Sequence, residues 1–128
     1  MNEIYATYQE LVHFFCVYIK EAHPEDNVGA YQVQANRDEG VVYNQPASIG
    51  ERAQIAEACM LHLNLAMPML LDNMHNEAEE KYVALPERLY VIDKDGVLVY
   101  RSEPGPHGFD MDEWLEAIRT VGLDQVDQ

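Results

Sequence analysis

The chain has 128 residues, enough for one ordinary domain and too few for two. Hydrophobic residues make up 48% and aromatics 9%, which allows a packed core and excludes global disorder. Lys and Arg number 8 against 23 Asp and Glu, a net charge of -15, and so acidic a surface repels phosphate backbones and anionic lipid: neither a nucleic acid nor a membrane is expected as a partner.

In residues 2–12, Ile4, Tyr5, Tyr8, Leu11 and Val12 recur at helical spacing and predict one face of a short helix. Glu3 and Glu10 in this opening stretch, with no basic cluster, argue against a signal peptide. Phe14-Phe15-Cys16-Val17-Tyr18-Ile19 follows as the longest apolar run. It falls far short of the ~20 residues that span a bilayer. Its aromatic and β-branched content predicts a strand buried on both faces of an α/β sheet. Residues 21–46, with Pro24, Gly29, Gly40 and Pro46, predict a long loop holding a short strand at Gly40-Val41-Val42-Tyr43.

Ser48-Ile49-Gly50-Glu51 fits a capping box. The helix after it is expected to bury Ile49, Ala53, Ala56, Met60 and Leu63. Met69-Leu70-Leu71 predicts a short buried strand, and Asp72 or Asn73 starts a small helix to about Tyr82, with Glu77, Glu79 and Glu80 on its solvated face. Arg88-Leu89-Tyr90-Val91-Ile92 and Val97-Leu98-Val99-Tyr100, joined by Asp93-Lys94-Asp95-Gly96, predict a β-hairpin. Two prolines and two glycines make residues 102–108 a loop. Asp110 and Glu113 cap a last helix that buries Trp114, Leu115, Ile118 and Val121, with Phe109 stapled onto Trp114 and Gly122 as its stop. The tail 124–128 is expected to fray. Alternating strand and helix, then a hairpin and a terminal helix, is an α/β pattern with a mixed sheet.

Glu21 and His23 stand just past the predicted strand 14–19, at the carboxyl end where sites gather in α/β sheets. A carboxylate two residues from an imidazole is placed to orient the ring and set its pKa. Cys16, in mid-strand, reads as a small packed hydrophobe, and Cys59 as helix packing. With no C-x-x-C the two lack the motif that lowers a thiol pKa, and two cysteines make no disulfide scaffold. The five histidines, among them His107 in the 102–108 loop, show no metal-ligand spacing. There is no phosphate loop, G-x-G-x-x-G or G-x-S-x-G, so no cofactor is implied.

The element order, with Leu85-Pro86 just ahead of the hairpin, resembles the thioredoxin fold, in which a cis-proline precedes this strand beside the redox centre. More narrowly, Val17-Tyr18-Ile19-Lys20-Glu21-Ala22-His23-Pro24, the Glu51-Arg52 helix start, Pro68-Met69-Leu70-Leu71-Asp72-Asn73-Met74, Tyr82-Val83-Ala84-Leu85-Pro86-Glu87-Arg88-Leu89-Tyr90 and Gly105-Pro106 resemble the iodothyronine deiodinases, in particular bacterial redoxin-like members. The similarity runs from about residue 5 to 123. It implies a thioredoxin-like mixed sheet flanked by helices over residues 1–123. The activity implied is thiol- or selenol-based reduction of a small-molecule or thiol substrate, including reductive dehalogenation. Glu21 and His23 would handle protons and Pro86 would shape the site; Cys59 would act as a resolving thiol if an upstream nucleophile existed.

Family members open with a strand and a loop carrying selenocysteine or cysteine, and then a helix. Here Met1 falls inside that helix, so the first core strand and the nucleophile loop are expected to be absent. Each buried backbone group left unpaired by that gap costs ~1–3 kcal/mol. Three explanations stay open: a longer parent protein, a short form that closes the gap by direct strand pairing, or a strand recruited from a protein partner or second copy. The alternative function is a redox-inactive, thioredoxin-like module for protein binding or dimerisation, and the expected compartment is the cytoplasm.

Overall fold

The computed structural model describes residues 1–21 and 45–126. The expected short strand at 40–43, and His23, lie outside them. The chain divides into two compact units.

The first unit comprises Met1–Phe15, Ala66–Pro68 and the chain from Glu87 on. Helix α1, Asn2–Tyr8, is shorter than the apolar spacing predicts. The amides of Leu11 and Val12 both donate to the Tyr8 carbonyl, at 2.9 Å each, and this shared acceptor turns the backbone out of the helix. Strands β3, Tyr90–Ile92, and β4, Leu98–Arg101, form the antiparallel hairpin. Its turn is built locally. Asp93 Oδ1 accepts from the amides of Asp95 and Val97, at 2.9 Å each, and Gly96 takes φ +81°, which costs a glycine nothing.

Helix α4, Met111–Val126, packs on this hairpin. Asp110 Oδ1 caps it by accepting from Asp112 N and Glu113 N at 3.1 and 3.0 Å. Trp114, Ile118 and Val121 are buried with Phe14, Leu89 and Val91. The indole of Trp114 donates to Tyr90 O at 3.2 Å, and the Phe14 ring meets both Tyr5 and Trp114 edge-on, at 5.5 and 6.2 Å. Gly122 does not end the helix as expected. It is buried inside it, facing Leu11 and Val12, and the helix continues to Val126.

The second unit comprises Cys16–Leu65 and Met69–Pro86. Strands β1, Cys16–Tyr18, and β2, Met69–Leu71, pair in parallel, Cys16 opposite Met69 and Val17 opposite Leu70. Helix α2, Ile49–Leu63, joins them and packs on β2. Ser48 Oγ accepts from Glu51 N at 3.2 Å, while the Glu51 carboxylate reaches Ala47 N at 2.7 Å, a capping box shifted by one residue. Asn64 ends α2 in the left-handed region. Helix α3, Glu77–Tyr82, starts later than expected because Asp72 caps it from a distance. The Asp72 carboxylate accepts from Asn73 N, Ala78 N and Glu79 N at 2.9, 2.9 and 3.0 Å.

Two burial expectations fail here. β1 is not buried on both faces: Val17 is 44% exposed and its partner Leu70 48%, because β1 has one neighbouring strand among the described residues and α2 covers one side only. The inward stripe of α2 is also rotated. Ile49 and Leu63 are exposed, whereas Arg52 is 2% exposed beside buried Ala56. The fold is thus mixed α/β, one parallel and one antiparallel pair with helices, consistent with a thioredoxin-like fold.

Candidate functional site

The carboxyl end of β1 carries the candidate site. Tyr18, the last strand residue, and Glu21 are three residues apart, and the chain bends so that the Tyr18 hydroxyl donates to Glu21 Oε1. A side-chain amide fixes the Glu21 backbone from both sides. Its N–H donates to Gln45 Oε1 at 2.8 Å, and Gln45 Nε2 donates back to its carbonyl at 3.0 Å. The carboxylate is therefore positioned by a phenol, and its peptide by a residue on the far side of the 22–44 segment.

The end of β2 is tied to the same place. Asp72 N donates to Tyr18 O at 2.8 Å. Arg52 reaches across from α2 and donates to the carbonyls of Asp72 and Asn73 at 3.2 and 2.7 Å and to Asn76 Oδ1 at 2.9 Å. A buried guanidinium that finds no carboxylate among the described residues is tolerated because these oxygens receive its hydrogens, although its Nε has no partner. Sequence reasoning took Arg52 only as part of a motif and missed Tyr18, Gln45, Arg52 and Asp72 as supports. Tyr18 had a local signal, its spacing to Glu21, but the Arg52 contacts span some twenty residues and left none.

Cys59 is half-buried on α2. Burial raises the Cys59 thiol above the ordinary cysteine value, and the nearby charges of Glu21 and then Cys16 raise it further. A raised thiol pKa is the opposite of what activates a cysteine nucleophile. Pro86 is exposed, after α3, and its bond from Leu85 is cis, as the resemblance implies; Gly105-Pro106 is also cis.

In the first unit, Glu87 is a carboxyl the sequence reading did not single out. The residue is exposed as a whole, but partial desolvation of its carboxyl raises its pKa. His107 is exposed in the 102–108 turn. Among the described residues, no group of three or more His, Cys, Asp or Glu could hold a metal ion. Among the same residues, no helix is long and apolar enough to cross a membrane.

Comparison with known proteins gives a consistent picture. The family model described as iodothyronine deiodinase matches residues 1–121. The chain is 35% identical over 115 residues to the thyroxine 5-deiodinase of Rattus norvegicus, covering 85% of this chain and 34% of that protein. It is 34% identical over 115 residues to the Homo sapiens protein of the same name, with the same coverage. The Xenopus laevis type I iodothyronine deiodinase is 30% identical over 112 residues, 88% of this chain and 41% of its own length. The chain thus spans between about a third and two fifths of these relatives. A match that runs through the Tyr18–Glu21 corner, the Arg52 helix and the cis-proline strand places the chain in the iodothyronine deiodinase family.

Proposed function

We propose that residues 1–123 are the body of a thiol- or selenol-based oxidoreductase domain of deiodinase type, whose nucleophile is not among these residues. In the reaction a thiolate or selenolate attacks the iodine of an aromatic iodide. The carbon–iodine bond breaks, the carbon takes a proton, and a second thiol expels iodide as a disulfide or selenosulfide forms. Peroxides and disulfides, which accept the same nucleophile, are alternative substrates. Glu21, oriented by the Tyr18 hydroxyl, and His23, two residues further along the sequence, supply and relay the proton. Pro86 shapes the substrate side, and Cys59 serves as a second thiol.

The single observation that carries this reading is the carboxylate at the end of β1, held through side chain and backbone by Tyr18 and Gln45. Such double positioning is what proton transfer at a fixed point needs. The test is turnover by the chain with Cys16→Ser and Cys59→Ser combined, a dithiol reductant being present. Iodide release from an iodinated phenol, peroxide consumption and disulfide reduction should all stay at background. Turnover in any of the three would place a nucleophile within the chain and overturn the proposal.

A second reading, a protein-binding or dimerisation module, is favoured by the strand surfaces. Val17 and Leu70 are exposed side by side on β1 and β2, and Ile92 and Leu98, also in register, are 45% and 44% exposed on β3 and β4. β1 and β3 each have one neighbouring strand among the described residues. An extended segment of another chain, or a second copy, would lie against these strands and cover such residues. Light scattering of the purified chain separates the cases: twice the chain mass supports self-pairing, and a monomer at high concentration removes it.

A further inference from the structure

Two thiols occupy the covered side of the β1–β2 pair. Cys16 opens β1 in register with Met69, and neither Cys16 nor Cys59 is in a disulfide. Residues in register point to the same side of a sheet, and the side alternates along each strand. Cys16, Met69 and Tyr18 therefore share one side, and Val17 and Leu70 the other. The first three are half-buried and the last two exposed, so α2 covers the cysteine side where Cys16 and Met69 stand; Leu71, opposite Tyr18 at the far end, is 38% exposed.

Because β1 and β2 run parallel, the helix that connects them runs back antiparallel to the pair, packed on β2, the strand beside β1. The last turns of α2 thus lie over the starts of the strands, where Cys16 stands. Arg52, Ala56 and Cys59 follow one another at i, i+4 and i+7 on the inward stripe of α2, the first two buried and Cys59 half-buried. Topology and helical phase bring the two cysteines to the same place. The Cys16 charge also raises the Cys59 thiol, after burial and Glu21, which agrees with this placement.

We infer that Cys16 and Cys59 are a redox pair that closes into an internal disulfide, stapling α2 to β1, when a low-molecular-weight disulfide is supplied. One cysteine thiolate attacks a sulfur of the external disulfide, whose S–S bond breaks and releases one small thiol. The second cysteine, once deprotonated, attacks the resulting mixed disulfide. The Cys16–Cys59 bond forms and the second small thiol leaves. The protein loses two electrons and two protons, and the external disulfide gains them. The pair needs no nucleophile elsewhere and stands whether or not the chain takes part in dehalogenation.

The test uses the full chain with oxidised glutathione in mildly alkaline buffer, followed by alkylation and non-reducing peptide mass mapping. The expected product is a single chain with no alkylated cysteine and one cross-linked peptide pair joining Cys16 to Cys59. Cys16→Ser and Cys59→Ser should each stop with one glutathione on the remaining cysteine. In denaturing urea the cross-link yield should fall at least tenfold, because it is the fold that brings the two thiols together. A folded chain that keeps two glutathione adducts, keeps two alkylatable thiols or links to a second copy would overturn the proposal, as would equal closure in urea.

Discussion

Replacing Arg52 by Met tests the corner that holds the site. The substitution keeps the apolar stem and deletes donors to three oxygens, the carbonyls of Asp72 and Asn73 and the side chain of Asn76. Asn76 can turn its amide toward water, but the Asp72 carbonyl loses a charged donor at a buried position and the Asn73 carbonyl at a partly buried one. Each unsatisfied buried acceptor costs about 1–3 kcal/mol. Part of that loss is offset, because Met removes a guanidinium that is 2% exposed with its Nε unpaired, a group costly to desolvate. The net expectation is a loss of about 2–4 kcal/mol, a fall in Tm of roughly 10 °C for a domain of this size. Urea unfolding measures it as a lower midpoint at unchanged slope. Arg52→Lys should fall between the two, since one ammonium cannot reach three acceptors. In that variant the Asp72 amide, which donates to Tyr18, should exchange faster with deuterium. A loss below about 1 kcal/mol for Arg52→Met would refute the view that this guanidinium pins the ends of β1 and β2 together.

Three further outcomes follow from single contacts. Ser102 is buried, accepts from Leu89 N at 2.9 Å and donates to Glu103 O at 2.8 Å, so Ser102→Ala should cost about 1–3 kcal/mol in urea unfolding. A Cβ on Gly108 would lie 2.3 Å from the Pro104 carbonyl oxygen, which is backbone and cannot swing aside; Gly108→Ala should cost about 1–3 kcal/mol, read by thermal unfolding. Desolvation gives Glu87 a higher pKa folded than unfolded, so its favourable contribution is full below the unfolded value and is lost as pH rises through the folded one. Glu87→Gln should therefore be more stable than the parent at neutral pH, and that advantage should vanish in acid; a difference independent of pH would contradict the desolvated carboxyl.

Features written in a few adjacent residues were legible from sequence. The Asp93–Gly96 turn, the Ser48 and Asp110 caps and the Trp114, Ile118, Val121 stripe each depend on neighbours within one or two turns, and each is present. The cis bond before Pro86 came from the resemblance rather than from any local rule. What misled was long-range packing. Gly122 looked like a helix stop, but the close approach of Leu11 and Val12 keeps it inside α4. Arg52 is a charge on an inward stripe, which only oxygens some twenty residues away could explain. The apolar run at β1 promised two buried faces, whereas hydrophobicity alone does not say which face has a neighbour. At the candidate site, Glu21 was legible by its position, while its supports Tyr18 and Gln45 depend on how the chain bends back.

The proposed chemistry is tested most directly by supplying what it says the chain needs. The Cys16→Ser, Cys59→Ser chain is mixed with a synthetic peptide that carries an apolar strand followed by a cysteine-containing loop, and iodide release from an iodinated phenol is followed under a dithiol reductant, which supplies the second thiol in place of Cys59. The account predicts release that saturates with peptide and falls by roughly a hundredfold or more in the further variant Glu21→Gln, the scale of a lost general acid. Release that is unchanged by Glu21→Gln, or a chain that binds the peptide and releases no iodide, would contradict it.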